Sequence, residues 1–308
     1  MKVLFWLNTF LPDISGIQTF CADLAPALMD HGHEILLLTA HTPHPMPDHS
    51  THDRIEVRRV DSLGALVDLD PKDILRCQGE IARIISDFAP DLIHLHPYGP
   101  DLVYYLHHRR KHSIPTLLTL NSNFSQRNVD FGPDSLLGRA LAEAVTTVSE
   151  DSRRWPISVQ PTLDSKTVAI HNGIRSSSTP TVPLPWDPQR LVFVGRIEQQ
   201  ERVDLVLRAF ALILGQHPAA RLRIAGNGTQ LQDMKHLTNS LECSASVEFL
   251  GRVEPEEVPA ILDSATVFMM ASDFEGLPIA TLEAAQRGRP IVSTTAGGMP
   301  EVIIDGQT

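Results

Sequence analysis

The sequence is poor in cysteine, in positive charge and in long apolar runs, and each shortage removes a class of function. Only three cysteines occur in 308 residues, Cys21, Cys77 and Cys243. Their odd number and wide spacing give neither a disulfide framework nor a zinc-ligand pattern, and they suit a reducing compartment. No apolar run approaches the roughly 20 residues that a membrane-spanning helix requires. Met1-Lys2-Val3 leads straight into an apolar stretch, so no signal peptide is expected and the location is read as cytoplasmic. Lys and Arg total 26 against 37 Asp and Glu, a net charge of −11. A general nucleic-acid binder needs basic surface to displace counterions, so that class is disfavoured, and so is broad adhesion to an anionic membrane.

What is present reads as two α/β domains. The length allows two cores, and the apolar share of 42% and charged share of 20% are those of an ordinary globular protein. Residues 3–7 form a short apolar run typical of a buried strand. A loop follows, and then Ile17, Phe20, Cys21, Leu24, Ala25 and Leu28 at helical spacing, closed by Gly32. Residues 34–39 are a second strand. This β-loop-α-β opening predicts a parallel, doubly wound sheet. Gly16 stands where the first loop meets the helix, a position that lets backbone approach a phosphate.

Residues 41–52 carry four histidines and read as a loop. No helical, carboxylate-flanked spacing accompanies those histidines, so no metal is expected. Strands over 55–60, 91–96 and 116–120 and a helix over 71–88 continue the pattern. His94 and His96 share one face of their strand. The basic run 107–112 reads as the solvated cap of a helix, favoured by the dipole. Residues 176–189, rich in Ser, Thr and Pro, read as a connector between a first domain, 1–175, and a second, 190–308. The second repeats the design, with strands near 190–194, 222–225, 247–250 and 266–270 and a Gly226-Asn227-Gly228 turn.

The most informative stretch runs from Ala271 to Ile304. Pro278 is expected in the first turn of a helix that Gly288 closes. Glu275 then lies in the loop before that helix, and Glu283 about one turn inside it. Free N–H groups and the dipole favour an anion at this end. Two carboxylates beside an anion site suit a ligand with both phosphates and hydroxyls.

This stretch resembles the donor-binding signature of the retaining GT-B glycosyltransferases, the glycosyl transferases type 1, which reads S-x-x-E-G-x-x-x-x-x-x-E and then G-G-x-x-E. Ser272, Glu275, Gly276 and Glu283 match the first part, and Gly297, Gly298 and Glu301 the second. Ser15-Gly16 partly matches a glycine pair after the first strand. Pro90, Asp91, His94 and His96 match a P-D-x-x-H-x-H segment, and Gly195-Arg196 a diphosphate-binding pair. The resemblance covers nearly the whole chain. It implies two Rossmann-like domains facing across a cleft, and transfer of a sugar from a nucleotide diphosphate sugar to a glycan, lipid or small-molecule acceptor. It also implies a donor site made by Gly16, Arg196, Glu201, Arg202, Gly226, Glu275, Gly276, Leu277, Pro278 and Glu283. Arg196 and the backbone N–H groups would hold the departing diphosphate, Glu283 the ribose hydroxyls and Glu275 the sugar hydroxyls. His94 and His96 are implied on the acceptor side of the cleft, and Asn121, Arg196 and Glu275 as the catalytic set. No cofactor is needed: protein cations and helix ends carry the phosphate charge without metal. Peripheral membrane contact is allowed.

Three departures stand out. Asn121 replaces a family histidine and cannot hold or move a proton near neutral pH. Glu201-Arg202 occupies the place of a Lys-Gly pair, so the phosphate-binding lysine is lost. At about 4 Å and an effective dielectric near 20, one unit charge acts on another with about 4 kcal/mol, and reversing its sign swings roughly twice that. Three outcomes are open: Glu201 turns to solvent while Arg202 swings in, which is favoured because Arg202 is adjacent and long; Glu201 pairs with Arg196 when no ligand is bound; or the protein binds no diphosphate. The chain also stops at Thr308, inside the family's D-G-x-x-G motif, so the second domain is expected to be incomplete. These departures keep two alternatives open: a non-catalytic nucleotide-sugar binder, and a nucleotide-sugar 2-epimerase of the same fold.

Overall fold

The computed structural model describes the chain apart from residues 14, 43, 45, 98, 100, 123–134, 141–143, 177–179, 186–187 and 308. It divides into two compact units, Met1–Asn172 and Gly173–Thr308. Each is a Rossmann-like α/β layer structure.

The sheet of the first unit comprises β1 (Lys2–Leu7), β2 (Glu34–Ala40), β3 (His49–His52), β4 (Ile55–Val60), β5 (Leu92–His96), β6 (Thr116–Leu120), β7 (Ala144–Thr147) and β8 (Thr167–Ala169). Their order is β3-β4-β2-β1-β5-β6-β7-β8, and every pairing except β3 with β4 is parallel. Side chains alternate across a strand, so β1 feeds both faces. Val3, Phe5 and Leu7 pack with Cys21 and Ala25 of the helix Gly16–Asp30 on one side. Leu4 and Trp6 pack with Cys77, Ile81 and Ile85 of the helix Pro71–Phe88 on the other. Each such side chain contributes about 1.5–3 kcal/mol on leaving water. That second helix begins where expected, because the Asp70 carboxylate accepts from the Lys72 N–H at 2.8 Å.

The reading of 41–52 as loop needs correction at its end, where β3 pairs antiparallel with β4. This is an edge strand, mostly exposed and polar, and it carries no apolar alternation for a sequence reading to find.

The second unit holds β9 (Arg190–Val194), β10 (Arg221–Ala225), β11 (Val247–Gly251), β12 (Val267–Met270) and β13 (Ile291–Ser293), ordered β11-β10-β9-β12-β13 and parallel throughout. Leu191 and Phe193 face one apolar cluster, and Val192 and Val194 the other. Chain order reverses direction between β9 and β12, as it does between β1 and β5 in the first unit. Open α/β sheets bind ligands outside the carboxyl ends of the strands at such a switch point.

Part of the segment expected as the connector is docked on the second unit. The Pro180 and Val182 carbonyls accept from Arg287 and Arg289, and the Pro185 carbonyl accepts from the Thr266 hydroxyl at 2.6 Å. Arg287 and Arg289 are buried, and Arg287 Nε also donates to Asp263 at 2.8 Å. The Pro-rich composition signals missing helix, not missing contacts.

Candidate functional site

In the second unit four loops converge at the carboxyl ends of β9, β10, β12 and β13. Their backbones touch, and glycine is what permits it. Gly226 follows β10 with φ +148°, and a Cβ there would lie 1.7 Å from the Gly195 carbonyl oxygen. Gly297 has φ +58°, and its Cβ would lie 2.0 Å from the Glu275 carbonyl oxygen. Hydrogen bonds close the same contacts. Ile197 N–H donates to Asn227 at 2.9 Å, Asp273 N–H to Gln200 at 2.8 Å, and Gly298 N–H to Gly276 at 2.8 Å. These loops therefore form one interlocked surface around the switch point.

The matched signature residues sit on it. Ser272 is buried, and its hydroxyl donates to Glu275 Oε1 at 2.7 Å. That contact fixes one carboxylate oxygen, while the Thr294 hydroxyl donates to the Ser272 carbonyl at 2.8 Å and pins the loop. Gly276, Leu277 and Pro278 are buried against the unit. Pro278 takes the N-cap position, with φ −65° and ψ 128°, instead of the expected first turn. The helix Ile279–Gln286 then presents its opening N–H groups, with Glu283 half-buried in its second turn.

The favoured expectation for Glu201 is wrong on both counts, and the alternative, a pair with Arg196 in the ligand-free protein, is the one found. Glu201 is not in solvent: it is 4% exposed, in a single 3-10 turn, Gln199–Glu201. Its Oε1 accepts from Arg196 Nη2 at 2.7 Å, while Arg196 itself remains 41% exposed. Glu201 Oε2 is buried and has no hydrogen-bond partner among the described residues. Burial raises the Glu201 carboxyl above the usual carboxylate range, and Arg196 offsets only part of that. Nor is the Arg202 guanidinium left to swing toward a phosphate, because two carboxylates of the protein already engage it. It takes a left-handed backbone, φ 47° and ψ 45°, and is held by Asp204 at 2.9 Å and Asp273 at 2.9 Å. Those two carboxylates raise its already high pKa, and Arg202 in turn lowers that of Asp204.

In the first unit, Gly16 opens the helix Gly16–Asp30 after the loop from β1, as the resemblance implied. His94 and His96 were expected on the acceptor-side cleft. Instead both rings are buried, at 5% and 1% exposure, with centroids 4.3 Å apart beside the Phe5 ring. The cause is their place on β5, a central strand covered by the helix Gly16–Asp30. His94 Nε2 pairs with the Thr119 hydroxyl at 2.7 Å. His96 Nδ1 meets Asn121 Oδ1 at 2.8 Å, and its Nε2 meets Cys21 Sγ at 3.4 Å. Burial lowers both histidines, His96 to about 4, so each ring is neutral. The bond to an amide oxygen assigns the His96 proton to Nδ1 and leaves Nε2 to accept from the thiol. Asn121 is thus held by its oxygen.

Comparison with known proteins agrees with this geometry. Residues 14–178, more than half the chain, match Glycosyltransferase Family 4, and residues 179–308 match Glycosyl transferases group 1. The chain belongs to the glycosyltransferase family 4. An uncharacterised glycosyltransferase of Methanocaldococcus jannaschii is 25% identical to it, over 94% of this chain and 79% of that protein. The glycogen synthase of Mycobacterium tuberculosis is 24% identical, over 96% and 78%. Among solved structures, sucrose-phosphate synthase from Thermosynechococcus elongatus superposes with a TM-score of 0.77 at 17% identity, covering 98% of this chain and 83% of that one. Anabaena HepE in complex with UDP and glucose gives 0.76 at 18% identity, with the same coverage. The fold is GT-B.

Several residues that build this surface escaped the sequence reading. Glu198 accepts from the Thr229 N–H at 2.9 Å and ties the loop after β9 to the one after β10. Asp273 joins Arg202 to the signature loop. Neither carries a motif signal, because each works through a partner distant in sequence. Among the described residues no cluster of His, Cys, Asp and Glu is arranged to hold a metal, and no helix is long and apolar enough to cross a membrane.

Proposed function

We propose that the protein is a retaining glycosyltransferase that moves a sugar from a nucleoside diphosphate sugar to a carbohydrate or lipid acceptor. The observation that carries the reading is the interlocking, at the second unit's switch point, of the loop that bears Arg196 with the loop that bears Glu275 and leads into the helix Ile279–Gln286 and Glu283. A helix N-terminus and a guanidinium stabilise the negative charge that develops on a departing diphosphate, the main electrostatic task of such a transfer. Glu275 and Glu283 supply acceptors for hydroxyls, Glu275 for those of the sugar and Glu283 for those of the ribose. The relatives in solved structures that hold UDP with glucose, or ADP with acarbose, support a nucleoside diphosphate as the leaving group. In the first unit Asn121 contributes hydrogen bonds through its NH2 and no proton. The reading needs no metal, because Arg196 and the backbone N–H groups meet the phosphate charge.

The Arg196–Glu201 pair favours one second reading, a protein that binds the nucleotide sugar without turning it over. Incubation with UDP- and ADP-sugars and a range of glycan and lipid acceptors separates the two. A transferase releases nucleotide with a product whose anomeric configuration, read by NMR, is that of the donor. Bound donor recovered intact with every acceptor supports the binder, and an inverted product overturns the retaining mechanism.

A further inference from the structure

Among the described residues the structure gives one charged group at the donor site a place that the transfer reaction leaves unused. Glu201 is enclosed by the turn Gln199–Glu201 and the loop after β9, and one of its two oxygens faces no donor. A carboxylate accepts through both oxygens, and an enclosed, unsatisfied one is costly. A carboxylic acid has a proton to give from that same oxygen.

We propose that Glu201 is a built-in counter-ion for Arg196, and that its Oε2 takes up one proton when the diphosphate of the donor binds. The inference rests on the reading of Arg196 as the diphosphate-binding group. In the free protein Glu201 neutralises the guanidinium at 2.7 Å and keeps it in one orientation. An arriving diphosphate brings negative charge to the same guanidinium. Two anions on one cation in a partly dry site repel, and the cheapest relief is to neutralise the one that burial has already desolvated. The proton comes from the solvent and settles on Oε2, while Oε1 keeps or releases its bond to Arg196. Glu198, the other carboxylate acting on Glu201, is hydrogen-bonded to Thr229. Arg202, next in the chain, is held by Asp204 and Asp273. Arg196 is the cation that faces Glu201 directly.

The pH dependence follows in sign. The carboxyl binds its proton more tightly in the complex than in the free protein. Donor affinity is therefore greatest at low pH and falls as pH rises, by up to about tenfold per unit between the two carboxyl pKa values. The same residue sets a specificity. A ligand with less charge beside Arg196, such as a phosphodiester, gains nothing from the proton and binds with little pH dependence.

The test is calorimetry with UDP-glucose and ADP-glucose, whose esterified diphosphates stay ionised across pH 6–8. Titrations in two buffers of different ionisation enthalpy give the protons taken up on binding. The wild type is expected to take up close to one, and Glu201→Gln close to none, with an affinity that no longer varies with pH. A purely structural Glu201 would leave proton uptake at zero in the wild type, and that result overturns the proposal without needing any variant. Arg196→Ala separates this from the reading beneath it. If Arg196→Ala loses binding while the wild type shows no uptake, the counter-ion role falls and the diphosphate site stands. If Arg196→Ala binds like the wild type, or if neither probe binds the wild type or Glu201→Gln at pH 6, both fall.

Discussion

Cys21, His96 and Asn121 form a row of thiol, imidazole and amide that resembles a nucleophilic triad, yet its physics points the other way. The thiol is fully buried and its pKa is raised, so it stays protonated and weakly nucleophilic. His96 is neutral down to about 4. The row positions Asn121 and attacks nothing. Between the ordinary histidine value of 6.5 and about 4, the unfolded chain binds a proton that the folded ring does not. Stability therefore rises with pH across that window and is lost as pH falls through it, by up to about 3 kcal/mol. Nitrogen-15 NMR of the histidine rings should show His96 as a neutral Nδ1–H tautomer at pH 5, and Cys21 should resist thiol reagents until the protein unfolds. A His96 that titrates near 6.5 would contradict this. The residue types at this spot were legible in the sequence, but their burial was not. The alternation that sets His94 and His96 on one face is silent about whether a helix covers that face. Glu201 shows the same limit. Its charge marked it as a departure, while its pairing with Arg196 depends on a turn whose geometry no periodicity encodes.

At the scale of elements, regular pieces were legible because strand and helix periods and caps act within a few residues. The helix Pro71–Phe88 and the strand Arg190–Val194 fall where their patterns put them. The short helix Ser62–Asp68 and the edge strand His49–His52 do not announce themselves, the first being only two turns long and the second brief, polar and mostly exposed. What positions the site is the backbone contact between loops, and glycine substitutions test it. Gly226→Ala forces a Cβ to within 1.7 Å of the Gly195 carbonyl oxygen at φ +148°, so the loops must separate. A cost above about 4 kcal/mol, or failure of the second unit to fold, is expected. Gly215→Ala is the control: it lies in the helix Val203–Gln216, its Cβ meets nothing within 4 Å, and it should stabilise by up to about 1 kcal/mol. Thermal melting of the two variants checks both signs. Equal, small shifts would mean that the loops do not touch as described.

At the scale of the molecule, the sequence correctly suggested two α/β units from the repeated strand–helix order. It placed a connector at 176–189, whereas the chain divides after Asn172. The difference has a physical cause. Composition reports that a Pro-rich segment is not helical, but its carbonyls are claimed by Arg287, Arg289 and Thr266, which come about a hundred residues later. The likeness to the glycosyl transferases type 1 was legible from the spacing of Ser272, Glu275, Gly276 and Glu283, and residues 179–308 match that family.

The central claim is that the second unit binds the donor through this signature. The most direct measurement is the affinity of Glu283→Ala for a panel of nucleoside diphosphate sugars, with its melting temperature taken in parallel. Glu283 is half-buried at a helix opening, so its removal should barely move the melting temperature. Loss of a hydrogen bond to a charged acceptor costs about 1.5–3 kcal/mol, so affinity should fall by about tenfold or more. An unchanged affinity, with the protein folded, would contradict the assignment of this surface to the donor.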